Sequence, residues 1–265
     1  MTHGIAEIGF ARRDGVTRLA HLYQADPLRV LFPTPEADDP IQAALVTTSG
    51  GLVAGDQIDI AVRVDPKASA HVTASAAEKI YRSTAATTVI RQALTVGHGG
   101  ALEFLPPETI LFDGARLERE SVIELAPDAV FLGGDIVVFG RRARRERFTR
   151  GFLREVWEVR CEGELVWGDA LHLDGDIAAI VDDPACFDGA AGFATLMLAP
   201  AGQDPRKFID GAREVQADAP DGVKTGVTAT AGLLVAPAQA GAQGERRVSG
   251  PWIPAFAGTT REWPR

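Results

Sequence analysis

A mainly β fold is predicted for this 265-residue chain, and three features predict it. Apolar and polar residues alternate over short runs, the runs are rich in Val, Ile, Thr and Phe, and turn-forming residues separate them. The first strand expected on this basis is Ala43–Thr48. After the glycine-rich Ser49–Asp56 comes the clearest one. There Ile58, Ile60, Val62 and Val64 alternate with Asp59, Ala61 and Arg63, which puts the apolar set on one face of a pleated strand. Ala70–Ser75, Thr88–Val96, Ala101–Leu105, Leu117–Leu125 and Val130–Phe139 follow, separated by Asp65-Pro66, Gly97-His98-Gly99-Gly100, Pro106-Pro107, Asp113-Gly114 and Pro127-Asp128. Phe152–Arg160, Leu165–Leu173, Phe193–Ala199 and Thr225–Val235 complete the strand set. One segment reads as helical, Asp204–Gln216. Asp204 is its N-cap, Pro205 sits in the first turn, and Phe208, Ile209, Ala212 and Val215 share one face. So many short strands fit a sandwich, a barrel or a stacked-sheet solenoid.

Composition narrows the function classes. With 46% hydrophobic residues the chain can bury a core, which excludes wholesale disorder. The longest apolar stretches, Ala129–Phe139 and Gly192–Ala199, fall short of the roughly 18 to 20 residues of a membrane span. The N-terminus has no basic segment leading into an apolar core, so the expectation is a soluble, cytoplasmic protein. Cys161 and Cys186 are read as buried free thiols, too few for a disulfide scaffold. A net charge of −9 argues against a protein that coats nucleic acid. Four of the 27 basic residues are lysines, so arginine dominates, and seven arginines crowd into Arg141–Arg154. That run reads as a phosphate site, a contact for an acidic partner, or the polar face of a β-hairpin. From Pro237 onward alternation is lost. Residues 237–265 read as a tail in which PAQAGAQ and WIPAFAGTT resemble a translated intergenic repeat.

Signals for chemistry are sparse. Gly50 and Gly55 are spaced as in a phosphate loop, but Asp56 and Gln57 stand where Lys and Ser or Thr would be needed, so a turn is expected. Gly97–Gly100 around His98 reads as a hairpin turn. The five histidines form no metal-ligand spacing, and only His172 and Asp174 are expected to share a strand face. There is no nucleophile elbow and no dinucleotide fingerprint, so no enzyme is predicted. Asp56, Glu103, Glu108, Asp113, Asp135 and Glu146 are read as carboxylates at strand ends or turns, of the oxygen type that holds a metal ion weakly enough to release it.

Five segments occur in one order: TTSGGLVAGD (Thr47–Asp56), TASAAEKIYRS (Thr73–Ser83), LEFLPPETILFDGA (Leu102–Ala115), GGDIVVFGRRARRERF (Gly133–Phe148) and GELVWGDALHLDG (Gly163–Gly175). Together they resemble the UreD/UreH family of urease accessory proteins over roughly Ile5 to Ala236. Gly50, Gly51, Gly55 and Asp56 match that family's glycine-rich turn. Lys79, Tyr81 and Arg82 match its K-x-Y-R element, Glu103, Pro106 and Glu108 its E-x-x-P segment, and Gly140, Arg141, Glu146 and Phe148 its G-R…E-x-F segment. Asp135 stands where glutamate is common and Arg145 where glycine usually precedes Glu146.

The resemblance implies a scaffold domain over residues 1–236, built of stacked sheets with a β-helix-like course and one or two short helices. It implies a non-enzymatic nickel-delivery role, with UreF, the GTPase UreG and the urease apoenzyme as partners and a homodimer within that complex. No permanent cofactor is implied, only transient nickel, for which Asp56, Glu103, Asp135 and Glu146 are the candidate path. The tail at 237–265 stands where a terminal family strand is expected, which would leave an open edge and an impaired, truncated copy. The alternative reading is a nucleic-acid-binding β protein that uses Arg141–Arg154 with Trp157.

Overall fold

The computed structural model describes residues 1–36, 39–230 and 232–241. β1 (His3–Arg13) and β2 (Val16–Ala25) pair antiparallel, as do β3 (Leu28–Leu31) and β4 (Ile41–Thr47). From β4 the chain winds between two sheets. β4, β6 (Ser69–Ala74), β9 (Ala101–Phe104) and β12 (Val130–Phe139) stack parallel in one. β5 (Gln57–Val64), β8 (Thr88–Val96), β11 (Arg116–Leu125) and β13 (Arg150–Cys161) stack parallel in the other, next to β1. Short β7 (Glu78–Ile80) and β10 (Thr109–Leu111) lie on the connections between the sheets. The product is a β-solenoid of about four turns, as the stacked-sheet expectation held.

After β13 the winding stops. β14 (Glu164–Asp176) folds back antiparallel on β13 and runs into α1 (Ile177–Asp182), whose Asp176 cap accepts from the Ala179 N–H. β15 (Ala190–Pro200) lies antiparallel to β12. A 3₁₀ turn, Pro205–Phe208, leads into α2 (Ile209–Ala217), with Asp204 accepting from the Arg206 N–H as the expected cap. Where one strand was expected over Thr225–Val235 there are three pieces, β16 (Val223–Thr225), β17 (Thr228–Thr230) and the start of β18 (Leu233–Gly241). β18 pairs antiparallel with β15 and continues through Pro237 to Gly241. The tail reading beyond Gly241 lies outside the described residues. Among the described residues no helix is long and apolar enough to cross a membrane.

Parallel register lines up side chains across the turns. On the inner face of the β5-containing sheet, Val62, Leu94, Ile123 and Val159 form one row, and all four are buried. Opposite them stand Ile41, Ala70, Leu102 and Phe131 in one row and Ala43, Val72, Phe104 and Gly133 in the next. This end of the interior is apolar, each large side chain contributing about 1.5–3 kcal/mol by leaving water. Two rows nearer the other end differ. Ile58 and Ile90 continue into Arg119 and Glu155, and Ile60 continues into Gln92, Ser121 and Trp157. Two smaller expectations change as well. Cys186 is exposed and Cys161 half-buried, and Gly97–Gly100 is a corner between the sheets, not a hairpin.

The approach of β15 to β12 leaves no room at Gly134, where a Cβ would collide with the Thr195 carbonyl oxygen. Gly134→Ala is expected to lower unfolding free energy by about 3 kcal/mol. Gly50→Ala, in open space at φ +74°, is expected to cost about 1 kcal/mol. Chemical denaturation of both variants checks this, and equal losses would contradict the close packing of β12 on β15.

Candidate functional site

Connections back from the β5-containing sheet are short corners, whereas those from the β4-containing sheet are long arcs over residues 48–56, 75–87, 105–115 and 140–149. The sequence motifs fall on these arcs. Leu52 bridges to Ile80, β7 pairs with β10 and β10 with the end of β12, so Leu52, Ile80, Leu111 and Phe139 stack as a buried column. One residue further along, the Tyr81 ring meets Phe112 edge-on at 4.8 Å, and the Arg141 guanidinium lies over the Phe112 ring, 4.2 Å from its centroid. The Tyr81 hydroxyl donates to the Gly50 carbonyl at 3.3 Å. Gly51, at φ +140°, has to be glycine because a Cβ there would meet the Lys79 carbonyl at 2.9 Å and the Tyr81 ring. Arg82 bridges to Ala115, and Phe148 is buried against Phe139. Most of the motif residues therefore hold one arc on the next.

The four carboxylates expected on a metal path are held by separate partners. Asp56 is 3% exposed and accepts from the backbone N–H groups of Thr2 (2.8 Å) and Val53 (3.0 Å). Burial pushes its carboxyl up, but those hydrogen bonds win and hold it below its ordinary range. Glu103 pairs with His71 at 3.0 Å, cross-strand neighbours whose phase opposes the buried Leu102 and Phe104, on the outer face of their sheet. Glu146 is held low chiefly by the Arg141 side chain and also accepts from the Asp113 N–H at 3.0 Å. Asp113 in turn accepts from the N–H and hydroxyl of Thr149, at 2.8 and 2.7 Å. These three are turn clamps and an outer-face pair.

Asp135 is different, since it lies mid-strand on β12 and inside the solenoid rather than at a solvated turn. Its carboxylate pairs with the Arg119 guanidinium, which also donates to Glu155 at 2.8 Å and to the Thr109 hydroxyl at 2.9 Å. Trp157 Nε1 donates to the same Glu155 oxygen at 3.2 Å, and Ser121 donates to Gln92 at 2.9 Å beside it. Asp135 meets Arg119 through Oδ2, while the buried Glu155 Oε2 accepts no hydrogen bond among the described residues. Burial, reinforced by Glu155 and opposed by Arg119, pushes the Asp135 carboxyl up to about 7. A cleft reaches this nest from the arcs, lined by Gly51, Glu78, Lys79, Pro106, Thr109 and Arg119. At its mouth Glu78, raised by burial, accepts from the Thr47 hydroxyl at 2.5 Å.

Oxygen donors dominate this route, and among the described residues no three His, Cys, Asp or Glu side chains converge into a metal cage. Motif reading missed Glu78, Arg119 and Glu155. The signal for two of them was phase: Arg119 shares the inward register of Leu117 and Ile123, and Glu155 that of Leu153 and Trp157.

A family model described as UreD urease accessory protein matches residues 2–247. A urease accessory protein UreD of Magnetococcus marinus is 43% identical over 235 residues, 88% of this chain and 81% of the relative. UreD 2 of Methylorubrum populi is 40% identical over 87% of this chain and 76% of its own length. UreD of Rhodopseudomonas palustris strain BisB5 is 40% identical over 84% and 77%.

A carboxyl raised from 3.8 to about 7 binds its proton more tightly in the folded than in the unfolded chain. It therefore favours the folded state at low pH, and that contribution is lost as pH rises from about 4 to about 7. Asp135→Asn removes the titration. Between about pH 5 and about pH 8 the unfolding free energy of the wild type is expected to fall relative to the variant by on the order of 2 kcal/mol. Denaturant titrations at the two pH values check it, and parallel profiles would contradict a raised Asp135.

Proposed function

Because the chain belongs to the UreD family of urease accessory proteins, we propose that it is a cytoplasmic, non-enzymatic scaffold for nickel delivery to the urease apoenzyme, working in complex with UreF and UreG. In this reading GTP hydrolysis is the partner GTPase's task, and this chain guides the metal. The observation that carries the reading is the cleft running from Glu78 to Arg119, whose guanidinium pairs with the buried Asp135 and Glu155 behind it. Nickel is cargo here, bound by exchangeable oxygen ligands. Asp135 stands at the centre of the path, joined by Glu78 and Glu155, while Asp56, Glu103 and Glu146 serve it by holding the frame.

The test is urease activation in nickel-fed cells that contain the apoenzyme and the other accessory proteins but lack their own copy of this scaffold. The wild-type chain is expected to restore activity, and failure of a soluble wild type to bind UreF would overturn the scaffold role. The variant Asp135→Asn, which leaves Glu155 to neutralise Arg119, is expected to fold, to retain UreF and UreG in co-purification, and to lower activation about tenfold at limiting nickel, with the gap closing in excess nickel. Undiminished activation by the folded, partner-bound variant would sink the interior path.

A further inference from the structure

Of the seven arginines in Arg141–Arg154, three form ion pairs within the fold and a fourth, Arg150, gives its backbone N–H to Asp113 at 3.3 Å. Arg141 pairs with Glu146, Arg147 with Asp182 and Arg154 with Glu118. Arg142, Arg144 and Arg145 are exposed and form no ion pair among the described residues. They occupy a 3₁₀ turn at the tip of the fourth arc. Backbone bonds close this tip, from the Arg144 N–H to the Arg141 carbonyl at 2.7 Å and from the Arg145 N–H to the Arg142 carbonyl at 2.9 Å. Its base is fixed by Arg141 on Phe112 and by buried Phe148. Arg145 itself sits at φ +60°, a left-handed conformation that glycine adopts at lower cost.

We propose that Arg142, Arg144 and Arg145 form a preorganised knob that docks a carboxylate-rich segment of a partner protein. Charge complementarity points there, because three forked guanidinium groups stand unneutralised on a chain of net charge −9. The hydrogen-bonded turn leaves less backbone to order on binding. A single-stranded nucleic acid fits less well, since stacking needs open aromatic faces. Here Phe112 is covered by Tyr81 and Arg141, and Phe148 and Trp157 are buried. The knob's arc follows and packs on the third of the three arcs that line the cleft, so an acidic partner seated on it lies on the side where the interior opens. The inference stands on the surface alone and does not depend on a nickel path.

The full-length chain is assayed for binding to immobilised poly-L-glutamate and to a single-stranded oligonucleotide of matched charge, over a salt series. Arg142→Glu, Arg144→Glu, Arg145→Glu is expected to weaken poly-glutamate binding at least about tenfold. Arg13→Glu, Arg18→Glu, Arg206→Glu changes net charge by the same amount at exposed sites elsewhere and is expected to change binding by less than about twofold. Equal losses in the two variants, or no binding of poly-glutamate by the wild type at low salt, would overturn the knob. Tighter binding of the oligonucleotide than of poly-glutamate would overturn its assignment to a protein partner.

Discussion

Strands in a solenoid find their hydrogen-bond partners only in the turns before and after, so each turn must present matching lengths of backbone at matching heights. In this chain the requirement is met in two sheets at once, with β4, β6, β9 and β12 in one and β5, β8, β11 and β13 in the other. Residues in excess of that pairing are pushed into the arcs between the sheets. The short corners at Asp65–Ala68 and Gly97–Gly100 have no room to vary, and their backbone bonds, such as the Lys67 N–H to the His98 carbonyl, tie turn to turn. The longer arcs are tied by backbone bonds through Leu52, β7 and β10 and are stapled by side chains as well, and this is why the family-type residues Gly51, Tyr81, Arg82 and Arg141 concentrate there.

The same register decides what the interior contains. A row such as Val62, Leu94, Ile123 and Val159 shows that four turns can be closed with aliphatic side chains alone. Two rows away the fold places a guanidinium between two carboxylates, an arrangement whose desolvation cost commonly matches or exceeds its Coulombic gain. Stability therefore gives little reason for Arg119, Asp135 and Glu155. On the nickel path proposed above, their value lies in keeping exchangeable oxygen ligands inside an otherwise apolar interior, at the end that the cleft reaches.

Much of the architecture was legible because alternation is strong where one face is buried. Ile58–Val64 and Thr88–Val96 read as strands on sight, and Asp204-Pro205 marked the turn that leads into α2. The first 31 residues were missed. β2 is exposed on both faces and so has no clean period, and the motif-bearing β7 and β10 are three residues each, too short to show one. The site was harder for a different reason. Asp56 and Glu146 carry the conspicuous motif positions, yet their work is to cap backbone at turns. Arg119 and Glu155 sit in strands whose alternation reads polar at those positions, and only comparison of phase with Leu117 and Trp157 turns them inward.

Strand direction reverses at both ends of the stack. β2 and β3 run antiparallel to the strands they flank, and β14 and β15 do the same after the fourth turn. A parallel winding can lengthen indefinitely, by tandem duplication of a turn or by head-to-tail addition of another molecule that continues the spiral. Reversal interrupts that continuation, because a further turn wound in the same sense would have to pair antiparallel with the terminal strands and not in the parallel register that the inner turns share. The protein thus keeps the shape of a filament-forming architecture while closing off filament growth by repeated winding, and its turn number is fixed by topology rather than by the length of the gene.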